Sequence, residues 1–337
     1  PLLDRALAID PQNIRARVLD GDVRYAMHDC NGSLHQYDNA LEIDRNSSQA
    51  WAGRGDALFC SGDSDQALAS YSRAIALQPE SSRAVLGLAD IYYAAGEYGQ
   101  SLGYYKQAAE LDSGSIRSFN GQGNSLCAIK EYNRSLILFD RSLALDPHNS
   151  EALLGKGLAL AAQNNSPAAL ECFRRLTIIN PQSSAAYSNL GTLQAAMGNY
   201  DAAAKSLEEA SRLDHSSSDI WYNLATVYYS LGKYSQSSQA FKKAADINES
   251  DASAWVGLGL AQNRSGKLDD ALKSFERAVS TDPRNRDAQY NLGLALAAQN
   301  RSQEALEAFE GVLETSPEDS LAMYAANLTL FRMKNAV

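Results

Sequence analysis

Three aspartates stand at equal spacing near the start of the chain: Asp22, Asp56 and Asp90, with Asn124 one interval further on. Three residues after each aspartate comes an aromatic ring, Tyr25, Phe59 and Tyr93. A carboxylate row beside an aromatic row suits a basic peptide with apolar anchors, by charge complementarity and ring burial. The alternative is that these acids are solvated or pair with Arg83 and Arg117, since rows of surface charge usually hold no ligand. Later in the chain Tyr222, Tyr229 and Tyr290 stand among Asn189, Asn223 and Asn291. An asparagine amide both donates and accepts, so it can hold an extended peptide backbone without reading its sequence.

Catalytic and metal chemistry finds little footing. Gly53-x-Gly55, Gly121-x-Gly123, Gly155-x-Gly157 and Gly257-x-Gly259 fall inside helical stretches rather than after strands, so they are packing glycines and not a dinucleotide loop. No GxxxxGK-S/T, HExxH or GxSxG is present. His28, Cys30 and His35 lie close together but lack a fourth ligand and the spacing of a zinc site. His148 and His215 fall at turns and read as surface residues. The expectation is a non-enzyme with no cofactor and no metal. Asn31, Asn46, Asn133, Asn164, Asn248, Asn263, Asn300 and Asn327 begin Asn-x-Ser/Thr triplets, which arise by chance in a chain this rich in Asn and Ser.

Composition narrows the partners. The chain has 337 residues and a net charge of −10, so its average surface repels a phosphate backbone and nucleic acid is not expected. The uncharged run from Leu176 to Tyr200 contains Asn180, Pro181 and Gln182, which a bilayer core would reject, so no membrane insertion is expected. Cys30, Cys60, Cys127 and Cys172 are far apart with no CxxC, which argues against a disulfide framework and for a reducing, cytoplasmic setting. Pro1 opens the chain without a basic-then-apolar leader, and the expectation is a piece of a longer polypeptide.

The elements that must position these residues repeat. Pro79, Pro147, Pro181, Pro283 and Pro317 are separated by multiples of 34 residues. Nine repeats of that length start at Ile14, Ser48, Ser82, Ile116, Ser150, Ser184, Ser218, Ala252 and Arg286, with these prolines at position 32. Position 20 is Ala or Ser in all nine, and position 24 is aromatic in eight, Leu207 being the exception. Position 8 is Gly in seven, with Ala89 and Ala225 in the others. Each repeat predicts two helices. Apolar residues at helical spacing fill positions 2 to 14, a chain-reversing Gly or Asn holds position 15 in seven repeats, and a second helix runs from about position 18 to 31. Small residues at positions 8 and 20 let the two helices approach, and the aromatic at position 24 fills the space beside them. One repeat cannot bury its own apolar face, so stability must come from stacking.

The repeat from Ser48 carries Trp51, Gly55, Ala67, Tyr71, Ala74 and Pro79, and that from Ser218 carries Trp221, Leu224, Ala225, Tyr228, Phe241 and Ala244. This pattern resembles the tetratricopeptide repeat (TPR) family over essentially the whole chain. The resemblance implies an all-α, right-handed superhelical α-solenoid of stacked antiparallel helix pairs, whose first helices line a concave groove. It also implies binding of peptide segments of other proteins there, and places positions 2, 5, 6, 9, 12 and 13 on the groove. Position 9 then carries Asp22, Asp56, Asp90 and Asn124, giving way to Leu158, Thr192, Thr226, Leu260 and Leu294. At position 6 the sequence departs from the asparagine ladder of sugar-transferring TPR arms. Gly53, Gly87, Gly121, Gly155 and Gly257 stand there, predicting a shallow, open floor. Positions 5 and 6 hold no Lys or Arg, which disfavours a clamp for a terminal carboxylate. The first repeat matches worst, with Arg17, Asp20 and Arg24 at normally apolar positions.

The expected organisation is a single TPR solenoid over 1–337: a partial second helix at 1–13, nine repeats at 14–319, and a first-type helix at 320–337. The last helix is apolar over most of its circumference, with Leu321, Met323, Tyr324, Leu328, Leu330, Phe331 and Met333. Head-to-tail self-association through the two ends is one consequence of that; helices lying outside this fragment in a parent protein are another. The leading functional reading is a non-catalytic protein–protein interaction scaffold binding an extended or helical partner segment in its groove. Two readings stand beside it: a substrate-presenting or regulatory arm of a larger enzyme such as a glycosyltransferase, and a self-assembling structural protein.

Overall fold

Helix starts are set by small polar side chains. Asn13, Ser47, Ser115, Asn149, Ser183, Ser217 and Asn285 each accept the backbone N–H three residues ahead, satisfying a group that the helix itself leaves free. Each such cap stabilises by roughly 1 kcal/mol. The first helices end at a residue with positive φ at position 15. Glycine holds it in five repeats, and His28, Lys130, Asn164 and Asn300 hold it in the others. The sequence names the glycines and asparagines; His28 (φ 59°) and Lys130 (φ 63°) take the same left-handed conformation, Lys130 without a residue type that favours it.

The computed structural model describes residues 2–335, and among these every regular element is an α-helix. Two compact units divide the chain, one ending at Cys172 and one beginning at Phe173. The first contains α1 (Leu2–Ile9), α2 (Ile14–Ala26), α3 (Cys30–Ile43), α4 (Ser48–Cys60), α5 (Ser64–Leu77), α6 (Ser82–Ala94), α7 (Tyr98–Leu111), α8 (Ile116–Ala128), α9 (Tyr132–Leu145) and α10 (Ser150–Ala162). The boundary falls within α11 (Ser166–Ile179). The second contains α12 (Ser184–Ala196), α13 (Tyr200–Leu213), α14 (Ser218–Ser230), α15 (Tyr234–Ile247), α16 (Ala252–Arg264), α17 (Leu268–Thr281), α18 (Arg286–Ala298), α19 (Ser302–Thr315) and α20 (Ser320–Asn335). Even-numbered helices are the first helices of the repeats and odd-numbered ones the second. From α1 to α10 and from α12 to α20 each helix packs on the next, and consecutive first helices also touch. Pro1 and residues 336–337 of the expected end segments lie outside the described residues. No described helix is long and apolar enough to cross a membrane.

The aromatic at position 24 holds the stack together. Tyr37, Tyr71 and Phe139 are essentially inaccessible to solvent. Each lies between the position 8 glycine of its own repeat and the position 6 glycine of the next: Gly21 and Gly53 for Tyr37, Gly55 and Gly87 for Tyr71, Gly123 and Gly155 for Phe139. A Cβ at Gly55 would come within 2.5 Å of the Tyr71 ring, and one at Gly87 closer still. This corrects the expectation of an open floor at position 6. Gly53, Gly87, Gly121, Gly155 and Gly257 are buried, each covered by the ring of the preceding repeat. Replacing such a ring by Ala removes about 3–5 kcal/mol.

A second tie crosses the joint between repeats. Trp51 Nε1 donates to the Arg45 carbonyl at 2.9 Å, and Trp221 and Trp255 make the same bond to His215 and Glu249. Where position 4 lacks Trp, a polar side chain can take its place: Arg17 Nε donates to the Pro11 carbonyl at 2.9 Å and Gln289 Nε2 to the Pro283 carbonyl at 3.2 Å. The charged residues that set the first repeat apart are thus used within the fold. Asp20 and Arg24 pair along one turn of α2 at 2.9 Å.

The cysteine expectation also changes. Cys30 opens α3, Cys60 closes α4, and stacking brings their Cα atoms to 5.9 Å, joined as a disulfide. Sequence spacing could not anticipate this, because the two residues meet only when consecutive repeats pack. The reducing setting inferred from the cysteines loses its support at this pair.

Lys130 offers a direct test of the turn. Lys130→Gly relieves a left-handed conformation that costs a side chain about 1–2 kcal/mol, so chemical denaturation should show a gain of about 1 kcal/mol.

Candidate interaction face

Within each compact unit the first helices present positions 2, 5, 9 and 12 on one face, and the residues at those positions differ between the units. In the first unit the acids are drawn inward. Asp22 accepts the Tyr37 hydroxyl at 2.7 Å and pairs with Arg83 at 2.7 Å. Asp56, buried, accepts the Tyr71 hydroxyl at 2.6 Å and pairs with Arg83 Nε at 2.6 Å. Asp90 accepts from the Tyr105 hydroxyl and pairs with Arg117. The rule is one of register: the position 24 hydroxyl of a repeat and a position 2 arginine from a later repeat meet on the position 9 carboxylate. Arg83 reaches two aspartates and also donates to the Tyr37 hydroxyl at 3.0 Å. Of the two sequence readings for these acids, pairing with Arg83 and Arg117 is the arrangement found.

Burial and charge act on this network in opposite senses. Burial disfavours the charge on Arg83, and Asp56 with its neighbours outweighs it, holding the guanidinium above its ordinary range. Burial pushes the hydroxyls of Tyr37, Tyr71 and Tyr105 far above the usual tyrosine value; the Asp56 and Asp90 carboxylates reinforce this at Tyr71 and Tyr105.

The pattern inverts at the next joint. Asn124 Nδ2 donates to Glu151 Oε1 and Asn120 Nδ2 to Glu151 Oε2, both at 3.0 Å, so the carboxylate now comes from position 2. Asn120 is 1% exposed, and its Oδ1 has no partner among the described residues. The aromatic row alongside is half-buried at Tyr25 and Phe59 and opens at Tyr93, whose ring meets that of Tyr98 edge-on at 5.4 Å.

In the second unit the same face is hollow. A cavity of about 300 Å³ lies over α14 and α16, lined by Tyr222, Thr226, Tyr229, Val256, Gly257 and Leu260, with Asp287 at its border. Tyr222 is held edge-on to Phe241 at 5.4 Å. Tyr229 is edge-on to Tyr234 at 5.3 Å, and its hydroxyl accepts from Arg264 Nε at 3.2 Å. Both rings are therefore packed against neighbouring aromatic side chains. Asp287 pairs with Arg286, whose guanidinium lies 5.1 Å over the Tyr290 ring. Tyr290 itself packs against Phe309.

The three asparagines do not converge. Asn189 and Asn291 each donate one amide N–H to a carbonyl of their own helix, at Ala185 and Asp287. Asn291 borders a second cavity of about 80 Å³ with Leu294 and Phe275. Asn223 is half-buried beside Tyr222. Val256, Ser253 and Asp287 were not singled out in the sequence, although position 5 of the eighth repeat and position 2 of the eighth and ninth fall on the expected face.

Comparison with known proteins agrees with this architecture. The tetratricopeptide repeat profile matches residues 54–116, 121–184, 188–252, 222–279 and 256–320, and the chain belongs to that family. No curated protein matches it. Among solved structures it resembles YrrB, described as a TPR protein with an unusual peptide-binding site, at 24% identity and TM-score 0.50 over 56% of this chain and 97% of that one. It also resembles the Cut9–Hcn1 structure (14% identity, TM-score 0.55, 94% of this chain and 76% of that one). A third is the C-terminal part of a TPR repeat-containing protein from Cytophaga hutchinsonii (13% identity, TM-score 0.60, 71% and 98%). At these identities the likeness is one of fold. Fold and family together make the chain a protein-interaction scaffold in general terms.

The aspartate network makes two measurable demands. Arg83→Ala leaves Asp22 and Asp56 without their cation and should lower unfolding free energy by about 1–3 kcal/mol in a denaturant titration. The raised tyrosines act at high pH. Below about pH 10 both folded and unfolded chains keep these protons and stability is whole. Above it the unfolded chain releases protons that the folded chain retains, so stability should fall with rising pH. Tyrosinate absorbance should show three fewer ionisations in the Tyr37→Phe, Tyr71→Phe, Tyr105→Phe variant only after unfolding.

Proposed function

We propose that the chain is a non-catalytic scaffold that receives an extended or helical segment of a partner protein on its first-helix face, with the Tyr222–Tyr229 cavity as the anchoring point. The observation that carries this is the cavity itself: two rings held in place by neighbouring aromatics, an apolar floor from Val256 and Leu260, and a carboxylate at the edge. Rings immobilised in advance lose little entropy on binding, which is the property of an interface anchor. The partner residue best suited is apolar, since Asp287 at the edge is already paired with Arg286.

Asp22, Asp56, Asp90 and Asn124 contribute less directly in this reading. Their polar groups already have partners within the protein, so what they offer a basic segment is a field rather than free acceptors. Tyr25, Phe59 and Tyr93 supply adjoining apolar surface within the first unit. YrrB, a TPR protein with an unusual peptide-binding site, lends support by its fold.

Cross-linked partners identified by mass spectrometry give the reagent for the test. Tyr229→Ala and Leu260→Asp should each weaken capture of the main partner about tenfold or more while the helical signal stays unchanged. Undiminished capture by both variants would remove this cavity as the anchoring point.

A further inference from the structure

Another recess lies in the first unit, lined by residues other than those of the aspartate network. Between α7 and α9 is a trough of about 210 Å³ with Leu126 and Gln122 of α8 at its base. Leu126 is almost fully buried, whereas Ile137 on the wall is 58% exposed. Around that isoleucine stand Lys106, Arg134 and Arg141, and no carboxylate lines the trough. This is a local reversal of charge in a chain whose net charge is −10.

The three cations are poorly compensated. Arg134 pairs with Glu131 at 2.8 Å, but both side chains are about half exposed, where such a pair stabilises little. Arg141 lies 6.0 Å over the Phe119 ring. Among the described residues, Lys106 has no carboxylate within ion-pair distance.

The corresponding recess of the second unit shows what the fold requires there and what it does not. It measures about 240 Å³ and is bordered by Glu208, Tyr228, Gln239 and Lys243. Glu208 accepts the Tyr228 hydroxyl at 2.8 Å, and Lys243 sits 3.9 Å over the Trp221 ring. Acid and base there both have partners, and Gln239 occupies the register position of Ile137. The recess is therefore a product of repeat packing. Its apolar wall and its weakly compensated positive rim belong to the first unit's sequence.

We propose that the trough between α7 and α9 docks an acidic segment of a partner protein, with one apolar side chain set against Ile137 and Leu126 and carboxylates on either side facing Lys106, Arg134 and Arg141. Charge complementarity selects this occupant, and the space suits a single aliphatic or aromatic side chain rather than a larger ligand. The trough is built from residues of the first unit and the Tyr222–Tyr229 cavity from residues of the second, so neither reading depends on the other.

The test is selection from a displayed random-peptide library on the full chain, after depletion on the Lys106→Glu, Arg134→Glu, Arg141→Glu variant. The three side chains are exposed, and circular dichroism checks that the variant is folded. Depletion on the single Arg141→Glu chain provides a second, milder version. Expected are clones with Asp or Glu flanking one Leu, Ile or Phe. They should bind the triple variant about tenfold or more weakly, lose affinity for Ile137→Ser, and weaken as salt rises. Enrichment of basic or uncharged clones, or no enrichment after either depletion, would overturn the proposal.

Discussion

The first unit turns on one steric arrangement, complete at Tyr37, Tyr71 and Phe139: an aromatic ring inserted between two helix backbones that have no side chain at the point of contact. The ring comes from the second helix of a repeat, one backbone from its own first helix and the other from the first helix of the repeat that follows. A single residue thereby closes the pair and joins it to the next. Interiors pack at near-crystalline density, so a methyl group at either glycine has no room without moving a helix. This explains why glycine is tolerated well inside helices such as α4 and α8, where its conformational freedom would otherwise count against it.

The same joint organises the polar chemistry of the first unit. Because the ring at position 24 is a tyrosine in the first three repeats, its hydroxyl emerges beside position 9 and needs an acceptor. Aspartate supplies it, and an arginine from a later repeat balances the charge. Where the ring becomes Phe139, no hydroxyl emerges, and position 9 holds Asn124 instead of an acid. Residues that look like a ligand-binding row are therefore in part a consequence of what the core ring carries at its tip. In the second unit the position 24 residues are Phe or Leu and carry no hydroxyl to satisfy. Its first-helix face is free to be apolar at Val256 and Leu260, and there the cavity opens.

The recesses flanked by second helices obey a different constraint. The recess beside α9 and its counterpart in the second unit arise from one packing geometry, yet Lys106, Arg134, Arg141 and Ile137 make the first cationic and apolar, while Glu208 and Lys243 leave the second internally paired. Side chains that do not take part in stacking are free to differ from repeat to repeat.

Much of this was legible in the residues alone. A period of 34, small residues at positions 8 and 20 and a ring at position 24 are local and recurrent, so they imply helix pairs and their stacking without knowledge of any long-range contact. The position 6 glycines were misread as open floor, since the ring that covers each one belongs to the preceding repeat. The Cys30–Cys60 bond, the sharing of Arg83 between Asp22 and Asp56, and the convergence of Tyr222, Tyr229 and Leu260 on one hollow have the same origin. Periodicity settles which residues repeat and which helix face each occupies. Which groups from neighbouring repeats meet, and whether they meet as a pair or leave a space, depends on the rotation and separation of helices at each joint, and no single stretch of chain contains that information.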